Sequence, residues 1–219
     1  MLVIFDCDGV LVDTEPLANQ AFSRSLGRLG LDWDVAETMR RLMGRSMKGC
    51  VEIVERELGR PVPGDFVEGL QIETFQAFRD APLRAIAGVA EAIDAIVAAG
   101  TPVCVASSGD VAKMRLTLGL TGLWERFDGR IYSASMVARG KPFPDLFLHA
   151  AGQMGVAAAE CVVIEDSVPG VAAARVAGMR ALAYAAAPYA DRAGLAAAGG
   201  ELFDDMARLP GLLGVGGTS

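Results

Sequence analysis

Acidic, hydroxyl and ammonium side chains recur in this chain where short apolar runs end. Asp6 and Asp8 follow Leu2-Val3-Ile4-Phe5, with Cys7 between them and Gly9 after. Ser107, Ser108 and Gly109 follow Val103-Cys104-Val105-Ala106, and Glu165, Asp166 and Ser167 follow Cys161-Val162-Val163-Ile164. The run from Ile131 to Ala134 leads into Arg139-Gly140-Lys141-Pro142, which delivers a lysine. Open parallel sheets bind ligands beyond the carboxyl ends of their strands, so these groups are expected to converge on one sheet edge. Two carboxylates about 4 Å apart repel by about 4 kcal/mol at an effective dielectric of 20. Such a cluster needs a cation or a proton. Hard oxygen donors without imidazole or thiolate select Mg²⁺. Two charges from Mg²⁺ and one from Lys141 set three against the four carboxylates Asp6, Asp8, Glu165 and Asp166. A proton on one carboxyl closes the balance, and that proton is what a general acid carries.

Each group also has a plain structural use. Asp6 and Asp8 suit a turn, Ser107 to Asp110 a helix start, Lys141 a solvated loop and Glu165 to Ser167 an N-cap. Those uses would have to coincide at four successive strand ends, which favours the chemical reading. Cys7 should point away from its two neighbours by strand alternation and is read as packing. Gly140-Lys141 is not a nucleotide P-loop, because Pro142 stands where Ser or Thr is needed.

The apolar runs are continuous rather than alternating, as in strands covered on both faces. Ala181-Leu182-Ala183-Tyr184 is a further one. Helical stretches alternate with them: Val89 to Ala99, Val111 to Leu118, Pro144 to Met154 and Val168 to Ala177, followed by Gly100, Gly119, Gly155 and Gly178. The expected fold class is α/β, a doubly wound, Rossmann-like parallel sheet. Residues 14–82 break the alternation with helical patterns alone. Pro16 opens one helix after a Thr14 cap, with Ala21, Phe22, Leu26 and Leu29 on one face; Met47 to Leu58 and Phe66 to Phe78 give two more. The expected domains are therefore a core of 1–13 and 83–219 and an inserted all-helical cap of 14–82, a natural lid. The tail Gly211 to Ser219 is expected to be loose.

Composition excludes several function classes. The 219 residues are 52% hydrophobic and 21% charged, enough to bury a core. A net charge of −7 argues against holding nucleic acid by phosphate neutralisation. Four separate cysteines and the single His149 argue against a disulfide framework and a zinc site, and His149 is read as a packing residue. Arg175, Arg180 and Pro188 interrupt the alanine-rich stretch, so no membrane span is expected. Residues Met1 to Phe5 lack a basic leader. The expected setting is soluble and cytoplasmic, as a monomer or small homo-oligomer, without nucleic-acid or membrane partners.

Phe5-Asp6-Cys7-Asp8-Gly9-Val10-Leu11-Val12-Asp13-Thr14 resembles the first motif of the haloacid dehalogenase superfamily, in its Mg²⁺-dependent phosphatase and phosphomutase branch. Ser107 resembles the second motif, Lys141-Pro142-Phe143-Pro144-Asp145 the third, and Ile164-Glu165-Asp166-Ser167 the fourth. The resemblance implies a hydrolase acting on a small phosphate ester, most simply a sugar, sugar-acid or polyol phosphate. It implies Asp6 as nucleophile, forming an aspartyl-phosphate, and Asp8 as acid and base, with its backbone carbonyl on the metal. It also implies Ser107, with Ser108 and Gly109, on the phosphoryl oxygens, Lys141 neutralising charge, Asp166 on Mg²⁺ and Glu165 as ligand or support. In the cap, Arg45 and Lys48 of the loop near Gly44 to Gly49 are candidate substrate-binding residues, and Asn19 a weaker one. A β-phosphoglucomutase-type mutase is the main alternative, although Ala18 and Met47 stand where members of that branch have a histidine and an arginine. Lys48 keeps a phosphonate-hydrolase reading open, and a phospho-receiver domain is the alternative from another class.

Overall fold

The computed structural model describes residues 1–42, 47–127 and 129–215. It divides into two compact units, Met1–Asp13 with Arg84–Ser219 and the intervening Thr14–Leu83.

The first unit is built on six parallel strands: β1 (Leu2–Phe5), β2 (Val103–Ser107), β3 (Ile131–Ser133), β4 (Cys161–Glu165), β5 (Arg180–Tyr184) and β6 (Glu201–Phe203). Their spatial order, β3-β2-β1-β4-β5-β6, reverses direction at β1, which is the switch point where ligands bind in such sheets. The doubly wound class read from the continuous runs is the one observed. β1, β2 and β4 are buried along their whole lengths, which is why their sequences do not alternate.

The second unit consists of helices α1 (Glu15–Leu29), α2 (Val35–Leu42), α3 (Met47–Leu58) and α4 (Phe66–Asp80). The core then adds α5 (Val89–Ala98), α6 (Val111–Leu120), α7 (Asp145–Gln153), α8 (Val168–Val176), α9 (Arg192–Ala197) and α10 (Leu209–Leu212). One face of the sheet, carrying Leu2, Ile4, Cys104, Ala106, Val163 and Ala183, packs on Leu146 and Phe147 of α7, Val171 of α8 and Leu195 of α9. On the opposite parity Phe5 meets Phe127 edge-on, with ring centroids 6.0 Å apart. In the helical unit Phe22, Leu26, Leu42, Cys50, Val54, Phe66 and Leu70 form a separate apolar core.

Two ends of the core flank the insertion. Val12 bridges Ala85 in antiparallel fashion, Asp13 N donates to Arg84 O at 2.9 Å, and Ile86 N donates to Leu11 O at 2.9 Å.

Several expectations need correction. Thr14 precedes α1 but makes no capping bond through its side chain: its backbone is already helical (φ −84°, ψ −25°), and Pro16 has no amide to offer. Helix α2 and edge strand β6 were not anticipated. Of the tail expected to be loose, Gly211 and Leu212 belong to α10, Leu213 is buried, and Leu212 O accepts Arg180 Nη1 at 2.9 Å; residues 216–219 lie outside the described residues.

Candidate active site

Register alone brings the acids together. Phe5 pairs with Val105 on one side and Ile164 on the other, so the next residues, Asp6 and Glu165, leave the sheet level with each other and on the same face. Asp6 N donates to Ile164 O at 2.9 Å, fixing this alignment beyond the last pair.

Lys141 sits between the two carboxylates. Its Nζ donates to Asp6 Oδ1 at 2.6 Å and to Glu165 Oε1 at 2.5 Å, and lies 5.0 Å from the Phe147 ring centroid on α7. Burial alone would strip the ammonium of its proton, but the charges of Asp6 and Glu165 outweigh this and hold it protonated, well above its ordinary range. Burial pushes Asp6 from 3.8 up to about 7; Lys141 opposes that rise, while Glu165 and Asp8 reinforce it.

Four donors hold the Glu165 carboxylate. Besides Lys141 on Oε1, its Oε2 accepts Asp166 N at 3.0 Å, Ser167 N at 2.8 Å and Ser167 Oγ at 2.8 Å. Ser167 Oγ in turn accepts Gly170 N at 3.1 Å, capping α8. The carboxylate lies so close over this first turn that a Cβ on Gly170 would fall 1.9 Å from its Oε1. Glu165 therefore anchors the lysine and the loop, and one of its oxygens also lies in an acidic cluster with Asp6 and Asp166.

Asp166 reaches the other way, across to the turn after β1. A Cβ on Gly9 would fall 2.0 Å from Asp166 Oδ2, and Gly9 has φ +75°, so this approach requires glycine twice over. One carboxylate oxygen each from Asp6, Glu165 and Asp166 lies within 4.8 Å of the others. Asp6 and Asp166, with Glu165 next to them, are the carboxylates placed to hold a divalent ion, beside the Asp8–Gly9 backbone. An all-oxygen donor set of this kind fits Mg²⁺.

The structure supplies a cation that the sequence reading missed. Lys113 Nζ donates to Asp8 Oδ2 at 2.7 Å. Lys113 stands one turn into α6, where Asp110 accepts Lys113 N at 2.6 Å as the N-cap. Side chains on a helix lean toward its N-terminus, so a long lysine at this position reaches back over the strand tips. That offset from an N-cap aspartate beyond β2 was the available signal. Lys113 also changes the charge count: two lysines and one divalent cation match Asp6, Asp8, Glu165 and Asp166, so no proton is required to balance the resting site.

Ser107 is buried at the end of β2, and its Oγ accepts Gly109 N at 3.2 Å. Ser133 Oγ, on β3, donates to Gly109 O at 2.8 Å, fixing the same turn. Ser108 is exposed. The helix-start reading of this stretch and its phosphate-binding reading thus coexist, since amides opening a helix favour anions.

A family model for haloacid dehalogenase-like hydrolases matches residues 1–178. The chain belongs to that family. Among relatives of this hydrolase, 6-phosphogluconate phosphatase of Escherichia coli is 32% identical over 187 residues, covering 85% of this chain and 83% of its own. Fructose-1-phosphate phosphatase of the same organism is 32% identical over 187 residues, covering 82% and 94%. A haloacid dehalogenase family hydrolase from Deinococcus radiodurans, solved with bound phosphate and sodium, superposes with TM-score 0.82 at 33% identity, covering 97% and 94%. Membership sets aside the phospho-receiver alternative.

The hydrolase's core thus gathers Asp6, Asp8, Ser107, Gly109, Lys141, Glu165 and Asp166 at the tips of β1, β2 and β4. The cap candidates belong to the other unit. Arg45 lies outside the described residues. Lys48 is exposed on the first turn of α3. Asn19 is buried, and its Nδ2 donates to Glu15 O at 2.9 Å and Glu15 Oε2 at 2.8 Å, so its amide is engaged along its own helix. Cys7 packs as expected, its thiol pushed well above the ordinary range by burial and set 3.9 Å from Thr117 Oγ1. His149 meets Tyr132 edge-on at 5.6 Å, a packing contact. No described helix is long and apolar enough to cross a membrane.

Proposed function

We propose that this hydrolase is a Mg²⁺-dependent phosphatase that releases phosphate from a small phosphorylated metabolite: a sugar, sugar acid or polyol phosphate. The observation that carries this reading is the Asp6 carboxylate at the switch-point strand, held 2.6 Å from a buried Lys141 within an acidic set two positive charges short of neutrality. The substrate class is supported by the two Escherichia coli relatives, each named for a sugar-derived phosphate.

Asp6 Oδ attacks phosphorus as the bond from phosphorus to the ester oxygen breaks, giving an aspartyl-phosphate. Asp8 passes a proton, taken up with the substrate, to the departing oxygen, then accepts one from the water that attacks the phosphoenzyme. That attack regenerates the Asp6 carboxylate and releases inorganic phosphate. Lys141 neutralises charge on the phosphoryl oxygens, and Ser107 with the Ser108 and Gly109 amides orients them. Asp6 and Asp166, with the Asp8 carbonyl, would hold Mg²⁺, which would supply further neutralisation, the main requirement of a loose phosphoryl-transfer transition state.

The cap belongs to this reading as the source of specificity, with Arg45 and Lys48 as candidate contacts. Support comes from connectivity: the insertion begins at Thr14, eight residues after the nucleophile. A reducing, cytoplasmic setting also belongs to it, supported by four buried free thiols.

A screen of phosphorylated metabolites for phosphate release tests the reading. Turnover of at least one sugar-derived ester, lost with EDTA, restored by Mg²⁺ and abolished in Asp6→Asn, is the expected result. Retained activity in Asp6→Asn overturns the nucleophile. Conversion of a hexose 1-phosphate to the 6-phosphate without free phosphate indicates the mutase instead.

A further inference from the structure

We propose that Lys113 is a positioning residue for the Asp8 carboxyl, required when the leaving oxygen needs a proton. The inference rests on the phosphatase reading given above and deepens it.

Asp6 and Asp8 are held by different means. Asp6 continues β1 and is fixed by the ladder through Ile164 O. Asp8 lies beyond the last strand residue, inside a tight turn in which Cys7 O accepts both Leu11 N at 2.9 Å and Val12 N at 3.1 Å, and Gly9 N donates to Val12 O at 2.9 Å. Those bonds fix the backbone of the turn but do not aim a side chain. Lys113 Nζ, donating to Oδ2 at 2.7 Å, ties the aim of Asp8 to α6.

The lysine is itself well placed to hold that aim. Its amide is tied to the Asp110 N-cap, and its stem passes over Gly109, where a Cβ would meet Lys113 Cδ at 3.5 Å, Ser107 Oγ at 3.7 Å and Asp8 Oδ2 at 3.9 Å. The phosphate-orienting hydroxyl, the acid and its lysine therefore surround one bare Cα. Misplacement of a catalytic group by a fraction of its reach is enough to reduce rate substantially.

The consequence depends on the leaving group. A sugar or alkyl oxygen departs as a strongly basic alkoxide and needs the Asp8 proton, whereas p-nitrophenolate departs without it. Comparing kcat/KM of wild type and Lys113→Met on p-nitrophenyl phosphate and on the best alkyl ester from the screen separates positioning from general damage. The expected result is a fall of about 30-fold on the alkyl ester, less than the roughly 100-fold or more that a general acid contributes because the acid is misaimed rather than removed, and less than about threefold on the aryl ester. Lys113→Arg should keep alkyl-ester turnover within about fivefold of wild type, and it carries the test should Lys113→Met fail to fold.

Equal falls on both esters, a gain on the alkyl ester, or an arginine variant as impaired as the methionine one overturns the proposal. Wild type without activity on either ester removes the phosphatase reading itself and the proposal with it, a result distinct from the others.

Discussion

Lys141 and Lys113 make the same kind of ion pair at neighbouring strand tips, in different surroundings. At Lys141 the lysine side chain is 5% exposed, Asp6 10% and Glu165 0%. At Lys113 the lysine and Asp8 are 26% and 24% exposed. Water screens the second pair and hardly reaches the first. The buried lysine is thus bound up with the stability of the fold, because its loss strands two carboxylates without solvent. The partly exposed lysine directs a side chain at little cost to the fold. A site built this way keeps its nucleophile rigid and leaves its acid adjustable.

Removing the buried cation should have the largest effect. Lys141→Met is expected to lower unfolding free energy by about 3–5 kcal/mol, the usual result of orphaning a buried charge, and to abolish phosphate release. Urea denaturation at pH 7 checks it, and a loss below about 1 kcal/mol would erase the contrast between the two lysines.

The pH dependence of stability sharpens the same point. Asp6 gives up its proton near 3.8 in an unfolded chain but only near about 7 in the fold. Between those values the native state binds the extra proton, so this group lowers stability as pH rises from about 4 to 7, by at most about 1.4 kcal/mol per pH unit. In EDTA, Asp6→Asn should flatten that slope and be more stable than wild type at pH 7.5. Urea midpoints at pH 4.5 and 7.5 give the answer.

Gly9→Ala tests the Asp166 side of the site. A Cβ there collides with the Asp166 carboxyl and forces a side chain into a left-handed backbone, so the Mg²⁺ concentration for half-maximal activity should rise by about tenfold or more, on the scale of disturbed ligand support. The smallest effect belongs to Lys113→Met, whose stability should change by less than about 1 kcal/mol, even though its alkyl-ester turnover falls.

Most of the core was legible because parallel strands covered on both faces must be continuously apolar, and because chemistry in such sheets is confined to their ends. Leu2–Phe5, Val103–Ser107 and Cys161–Glu165 needed no further information, and Asp6, Ser107 and Glu165 followed from them. Strand β6 was illegible: in Glu201-Leu202-Phe203 only Phe203 is buried, so an edge position leaves a single apolar anchor and no run. Helix α2 was hidden by Glu37, Arg40 and Arg41, which leave only Thr38 and Leu42 buried. Lys113 escaped for another reason: its partner is 105 residues away, and no periodicity encodes which helix will start over which strand tip. Glu165 was expected as a metal ligand or its support, and the three donors from its own loop and the lysine that hold it were not legible, because they depend on how the loop after β4 turns.

The rung joining Asp13 to Arg84, with Val12 against Ala85, closes the nucleophile-bearing unit on itself before the insertion departs. The chain leaves and re-enters through one hydrogen-bonded doorway, so the intervening stretch can be lengthened, shortened or exchanged without altering a single strand register. A short hairpin spliced across residues 13 and 84 is therefore expected to leave the strand registers of this unit in place.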